Sequence, residues 1–190
     1  MPSRDTAPRT HRLPKAKKPR GLVMVNTGDG KGKSTAAFGT ALRALGQGWN
    51  VAVVQFIKGR WKTGEEKAVR YFGDKFQFHA FGEGFTWQTK DYEKDVLLAR
   101  RGWEKAAALI RDKKHTLVIL DEINCCFLYN FLDAREVLKE LKKRPVLKHV
   151  FLTGRGAPES LLRYADLVTE MKNIKHPYDK GLIAQAGIDF

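Results

Sequence analysis

Eight consecutive residues near the amino end, Gly28–Asp29–Gly30–Lys31–Gly32–Lys33–Ser34–Thr35, fix more of the fold than any other stretch of the chain. Ahead of them Leu22–Val23–Met24–Val25 is uniformly apolar and reads as a buried parallel strand. Behind them residues 35–45 are rich in alanine and set Phe38, Leu42 and Leu45 on one face. That pattern reads as a helix closed by Gly46 and Gly48. Residues 51–57 form a second apolar strand. Strand, glycine-rich turn, helix and strand in this order make a βαβ unit, which implies a parallel sheet.

Gly32–Lys33–Ser34 supplies the end of the phosphate-loop pattern G-x-x-x-x-G-K-[ST]. The first position of that pattern falls on Thr27, and Gly28 and Gly30 supply the flexibility one place later. The physical logic is unchanged. Glycines let successive backbone N–H groups turn inward onto phosphate oxygens. The following helix directs its positive end at the same point. Lys33 adds a mobile charge, and Ser34 or Thr35 can offer an oxygen to Mg²⁺. A second element fits the first. Leu117–Val118–Ile119–Leu120–Asp121–Glu122 is an apolar strand with acids at its tip, the form of a metal-side carboxylate strand. Glu122 is expected near the metal and Asp121 as its indirect partner.

The remaining pattern predicts a short helix over 65–71, a strand over 76–81 and an aromatic loop over 82–89. Next come a long helix over 91–111, a strand over 116–120 and a helix over 133–143 with Asp133 as N-cap. A strand over 149–152, a short helix over 158–164, a strand over 167–171 and an irregular end complete the chain. The fold class is therefore α/β, P-loop NTPase-like (RecA-like), a mostly parallel sheet with helices on both faces. Ligands are expected at the carboxyl ends of the strands, where Gly28–Thr35, Asp121–Glu122 and Arg155 all fall.

Charge divides the 190 residues. Residues 1–20 carry seven Lys/Arg against one acid, a net of +6, which leaves +8 of the total +14 for the rest. Residues 1–20 are read as a basic flexible arm and 21–190 as a single domain. The arm fits a solvated tail, a nucleic-acid contact or a segment that orders over a bound polyanion. No apolar run reaches the ~20 residues of a membrane helix, and no export signal is readable, so a cytoplasmic protein is expected. Cys125 and Cys126 are adjacent and read as reduced and buried. The five histidines show no zinc-ligand spacing.

Several motifs in order carry a family resemblance. They are residues 27–37, residues 54–59, Gly84–Phe85–Thr86–Trp87, Leu120–Asp121–Glu122, Thr153–Gly154–Arg155–Gly156 and residues 184–190. This combination resembles the P-loop type ATP:corrinoid adenosyltransferases over nearly all of 21–190, with Asp29 where Asn is expected and Ser34 where Thr is usual. The resemblance implies transfer of the 5′-deoxyadenosyl group of ATP to the cobalt of a Co(I) corrinoid, with triphosphate as the second product. It implies Mg²⁺ at Ser34 and Glu122, and ATP phosphates held by residues 28–35 and Arg155. It further implies that the nucleotide lies reversed relative to most P-loop enzymes, and that Phe85 and Trp87 meet the corrinoid and displace its lower axial ligand. A flavoprotein reductase and a homodimer are expected at family level, and a nucleic-acid partner is not. The rival reading is a nucleic-acid-associated P-loop ATPase, supported by the net charge and the basic arm. A third is an ATP-sensing module without turnover.

Overall fold

A computed structural model of the chain describes residues 18–57, 63–82 and 91–189. Phe85 and Trp87 lie outside the described residues, as do residues 1–17 of the basic arm. Six strands, β1 (Val23–Thr27), β2 (Val51–Gln55), β3 (Phe76–Ala80), β4 (Leu117–Asp121), β5 (His149–Thr153) and β6 (Leu167–Glu170), form one sheet in the order β3-β2-β4-β5-β1-β6. Every pairing is parallel. The four central strands are buried on both faces, which is why they read as continuous apolar runs.

Alternate residues of each strand divide between two cores. Val51, Val53, Ile119 and Phe151 face α1 (Lys33–Gly46), whose Ala37, Ala41, Ala44 and Leu45 pack down on them. Small residues on that helix face let it approach the sheet closely. Ala52, Val54, Val118, Leu120, Val150 and Leu152 face the other way. There they meet α3 (Tyr92–Arg111), α4 (Ile123–Leu128), α5 (Ala134–Lys143) and α6 (Glu159–Tyr164). The short α2 (Gly64–Ala68) follows β2, with Thr63 capping it by accepting from the Glu66 N–H. Each buried Leu, Ile or Val of these cores contributes about 1.5–3 kcal/mol relative to exposure.

Helix ends follow their local sequence. The Asp91 side chain accepts from the Lys94 N–H at 3.0 Å and starts α3, and Asp133 accepts from the Arg135 N–H at 2.8 Å and starts α5. Helix α4 is an element the sequence reading did not contain. It has only six residues, too few for a helical period to show, and its start is set by backbone geometry rather than by a polar cap. At the amino ends of β4 and β5 the buried Lys148 donates to Asp112 Oδ1 at 3.0 Å and to the carbonyls of Leu109 and His115. The Lys148 ammonium is thus satisfied from within the protein and lies at the opposite end of the sheet from the glycine-rich turn.

Candidate active site

Strand β1 delivers the chain into the glycine turn, and α1 begins at Lys33, two residues earlier than the periodicity predicts. Thr27, at the first position of the motif, still belongs to β1. Its hydroxyl accepts from the Ala157 N–H at 3.2 Å. The positive φ that the turn requires falls on Gly28 (91°) and on Gly32 (108°), which precedes α1. Gly30 is needed for a different reason: a Cβ there would stand 2.5 Å from the Lys172 carbonyl oxygen. The turn is stitched to the end of β6 by Gly30 N–H to Met171 O (2.7 Å) and Met171 N–H to Thr27 O (2.8 Å).

Lys33 is only 8% exposed, and its ammonium donates to the Gly30 carbonyl at 2.6 Å, so the side chain curls back over its own loop. Burial lowers its pKa, and Arg155 acts in the same direction, while Glu122, Cys125 and Asp29 oppose the shift. Below the loop, the Asn26 amide donates to the Lys33 carbonyl at 3.2 Å. Asn124 of α4 donates to the carbonyls of Asn26 (3.3 Å) and Gly154 (3.0 Å). These buried bonds join the roots of three loops.

The acidic pair splits into two environments. Asp121 is fully buried. One of its oxygens accepts from Gln55 Nε2 of β2 at 2.9 Å and the other from Thr153 Oγ1 of β5 at 2.7 Å. Glu122 is half-buried and lines the cleft with the glycine turn. Its Oε2 accepts from the Cys125 thiol at 3.1 Å. Burial and then the charge of Glu122 push the Cys125 pKa up to about 12, so the thiol is a neutral donor at ordinary pH. Cys126 is buried as expected, but Cys125 is not sealed off: it forms part of the cleft wall.

The cleft itself has a volume of about 670 Å³. It gathers Asp29, Gly30, Lys31, Gly32, Lys33, Ser34, Thr35, Glu122 and Arg155 around one space, so nine of the residues predicted from sequence converge. Gly28 lies behind them against β6. Strand order supplies a fact absent from the linear sequence: β5 lies between β1 and β4, so Arg155 projects from between the phosphate turn and the acidic pair. Its guanidinium donates weakly to the Asp29 carbonyl at 3.4 Å and stands 3.8 Å from the Asp29 carboxylate. Both side chains are well exposed (61% and 82%), so this pair is worth little to stability and is free to exchange for a ligand.

Wall residues not singled out as site residues from sequence include Cys125, Tyr129, His176 and Asp189. Tyr129 and Cys125 come from α4 and its end, an element with no readable signal. His176 and Asp189 come from the irregular carboxyl segment, which folds back so that Asp189 pairs with Lys31. Among the described residues, no helix is long and apolar enough to cross a membrane.

The convergence of this cleft on the carboxyl edge of an all-parallel sheet makes the chain a nucleotide-binding protein of the P-loop, RecA-like class. The fold agrees with that of the flagellar accessory protein FlaH from Methanocaldococcus jannaschii. That crystal structure matches with a TM-score of 0.53 at 15% identity, over 80% of this chain and 71% of the other. Residues 19–190 match the family model of the ATP:corrinoid adenosyltransferase BtuR/CobO/CobP. A corrinoid adenosyltransferase of Sinorhizobium sp is 52% identical over 173 residues, 90% of this chain and 81% of the relative. Those of Pseudomonas aeruginosa and Escherichia coli K12 are each 44% identical over 179 residues, 94% of this chain and 88% or 90% of the relatives. The chain belongs to the ATP:corrinoid adenosyltransferase family, a family of transferases, and the nucleic-acid-associated ATPase reading is not favoured.

Proposed function

We propose that this enzyme transfers the 5′-deoxyadenosyl group of ATP to the cobalt of a Co(I) corrinoid and releases triphosphate. The observation that carries the proposal is a cleft lined by a phosphate turn and three cationic side chains, in a chain 44–52% identical to corrinoid adenosyltransferases. The electron pair on Co(I) attacks C5′ of ATP. A Co–C bond forms as the C5′–O bond breaks, and triphosphate leaves with the bonding pair. Co(I) is itself a strong nucleophile, so no activated serine, cysteine or general base is required of the protein. Its tasks are to align C5′ with cobalt and to stabilise the charge that gathers on the leaving triphosphate.

Lys33, Lys31, Arg155 and the backbone N–H groups of residues 28–35, apart from that of Gly30, which is bonded to the Met171 carbonyl, suit the second task. Ser34 and Glu122 offer hard oxygen donors on one wall of the cleft and fit Mg²⁺. When bound there, Mg²⁺ would neutralise charge on the phosphate oxygens. The buried Asp121, with both oxygens occupied by Gln55 and Thr153, suits an indirect role. A nucleotide lying reversed, with its terminal phosphate in the glycine turn, leaves C5′ turned toward the corrinoid. Phe85 and Trp87 are proposed to cover the corrinoid face and displace its lower axial ligand, which makes reduction of Co(II) easier. The basic arm of residues 1–20 is proposed to order over bound substrate. A flavoprotein reductase as electron donor, a homodimer and a cytoplasmic location complete the reading.

The test is anaerobic incubation with Mg-ATP and chemically reduced cob(I)alamin. The expected result is the spectrum of a light-sensitive adenosylcorrinoid with stoichiometric triphosphate. ADP and orthophosphate with an unchanged corrinoid spectrum would overturn the transferase reading. A second expectation concerns the aromatics. Phe85→Ala and Trp87→Ala should each lower turnover from cob(II)alamin plus reductant about 10-fold or more, a loss of about 1.4 kcal/mol or more in the barrier. Turnover from preformed Co(I) should stay within about twofold. Equal losses in both assays would refute the proposed role.

A further inference from the structure

The chain does not run smoothly from β4 into α4. Glu122, between them, has φ 63° and ψ 16°, the left-handed region that non-glycine residues rarely occupy. Such a residue persists only where its surroundings over-determine it. Here the Glu122 N–H donates to Thr153 Oγ1 at 3.0 Å, and the same hydroxyl donates to Asp121 Oδ1 at 2.7 Å. The hydroxyl thus accepts from one residue of the acidic pair and donates to the other.

Three further facts bear on it. The β4–β5 ladder ends at Leu120 and Leu152, so at the next position the side-chain bond between Asp121 and Thr153 takes over from the backbone. Asp121 is held from the opposite side by Gln55, so the hydroxyl is anchored on a fixed acceptor. Thr153 is fully buried and is not among the residues lining the cleft, so it can act on a ligand only through another group.

We propose that Thr153 is a positioning residue: its hydroxyl, braced on Asp121, holds the left-handed backbone of Glu122 and so sets where the Glu122 carboxylate stands in the cleft. The chain of contacts runs Gln55, Asp121, Thr153, Glu122, across three adjacent strands into the cleft wall. The inference rests on the reading of Glu122 as the Mg²⁺-side carboxylate. It assigns the geometry of that carboxylate to a buried hydroxyl on the neighbouring strand rather than to Asp121 alone.

The test uses the full-length enzyme and three variants. Thr153→Val keeps the shape and removes the hydroxyl. Thr153→Ser keeps the hydroxyl. Thr153→Cys, with its weak sulfur donor and acceptor, gives an intermediate case that remains usable should the valine variant fold poorly. ATP affinity is measured by calorimetry with and without Mg²⁺, and adenosyl transfer from cob(I)alamin is followed in parallel. T153V is expected to lose about tenfold of the affinity that Mg²⁺ adds, while its affinity for metal-free ATP stays within twofold of wild type. T153S should match wild type within twofold in both, and T153C should fall between them. A merely structural threonine would weaken both affinities together or neither.

The proposal is overturned if T153V retains the full Mg²⁺-dependent gain, if T153S loses as much as T153V, or if wild-type ATP binding ignores Mg²⁺. A wild-type enzyme that binds Mg-ATP but makes no adenosylcorrinoid would overturn the adenosyl-transfer reading alone, since the binding comparison still decides the role of Thr153.

Discussion

Lys33→Ala should lower the rate of adenosyl transfer by about 10²–10³-fold, the loss typical when one preorganised donor to a developing negative charge is removed. Lys33 is nearly buried and its ammonium donates to the Gly30 carbonyl at 2.6 Å, inside the glycine turn on the cleft wall. A leaving triphosphate gathers charge as the C5′–O bond breaks, and a cation already desolvated interacts with that charge more strongly than one in water. KM for ATP should rise less than kcat falls, because the added charge exists only in the transition state.

Stability should move the other way. Burial is the largest influence on Lys33 and lowers its pKa below 10.5, so folding disfavours the charged form. A folded-state pKa below the unfolded one means that the unfolded chain binds more protons in the interval between them. Stability therefore rises with pH through that interval. Wild type should thus gain on K33A in urea melts as pH climbs toward 10.5, while at pH 7 the variant should be as stable as wild type or more so. A variant that loses activity together with several kcal/mol at pH 7 would show the lysine to be a structural strut instead.

The contrast between catalytic loss and folding gain also marks what could be read from sequence. The turn, the acidic strand tip and Arg155 were legible because each follows an apolar strand with the residue types that phosphate and metal chemistry need. What brings them together is strand order, and no local pattern records that β5 inserts between β1 and β4. Helix α4 was invisible for a related reason. Glu122 bends the chain through a left-handed residue, so neither an N-cap nor a helical period marks its start. Cys125 and Tyr129 were consequently not seen as cleft residues. Asp189 was legible only as part of a terminal motif, and its contact with Lys31 depends on the path of a segment without regular structure. Gly28 was singled out for flexibility, but sequence could not say which of the three glycines is constrained by its own backbone and which by a neighbour.

That distinction yields the second large expected effect. At Gly28 the two constraints coincide: φ is 91°, and a Cβ would stand 2.5 Å from the Met171 carbonyl oxygen and 3.0 Å from the Met171 nitrogen. These are backbone atoms of the segment leaving β6, pinned on both sides by the bonds from Gly30 N–H and to Thr27 O, so they cannot rotate away as a side chain would. Gly28→Ala must therefore either peel that segment from the turn or push the turn into the cleft. The left-handed strain costs about 1–2 kcal/mol and the overpacking about 1–3 kcal/mol more. At roughly 2–4 °C per kcal/mol for a domain of this size, the melting temperature should fall by about 5–15 °C. ATP affinity should fall with it, by about tenfold or more, since each 1.4 kcal/mol lost from the turn's bound geometry is a factor of ten. Gly32 provides the control. Its φ is 108°, but a Cβ there would meet only the Met171 sulfur, at 3.8 Å. Gly32→Ala carries the backbone strain without the collision and should lose about half as much in thermal melts. Were the two variants to melt alike, the contact with Met171 would not be what requires glycine at position 28, and the turn would be held by its torsions alone.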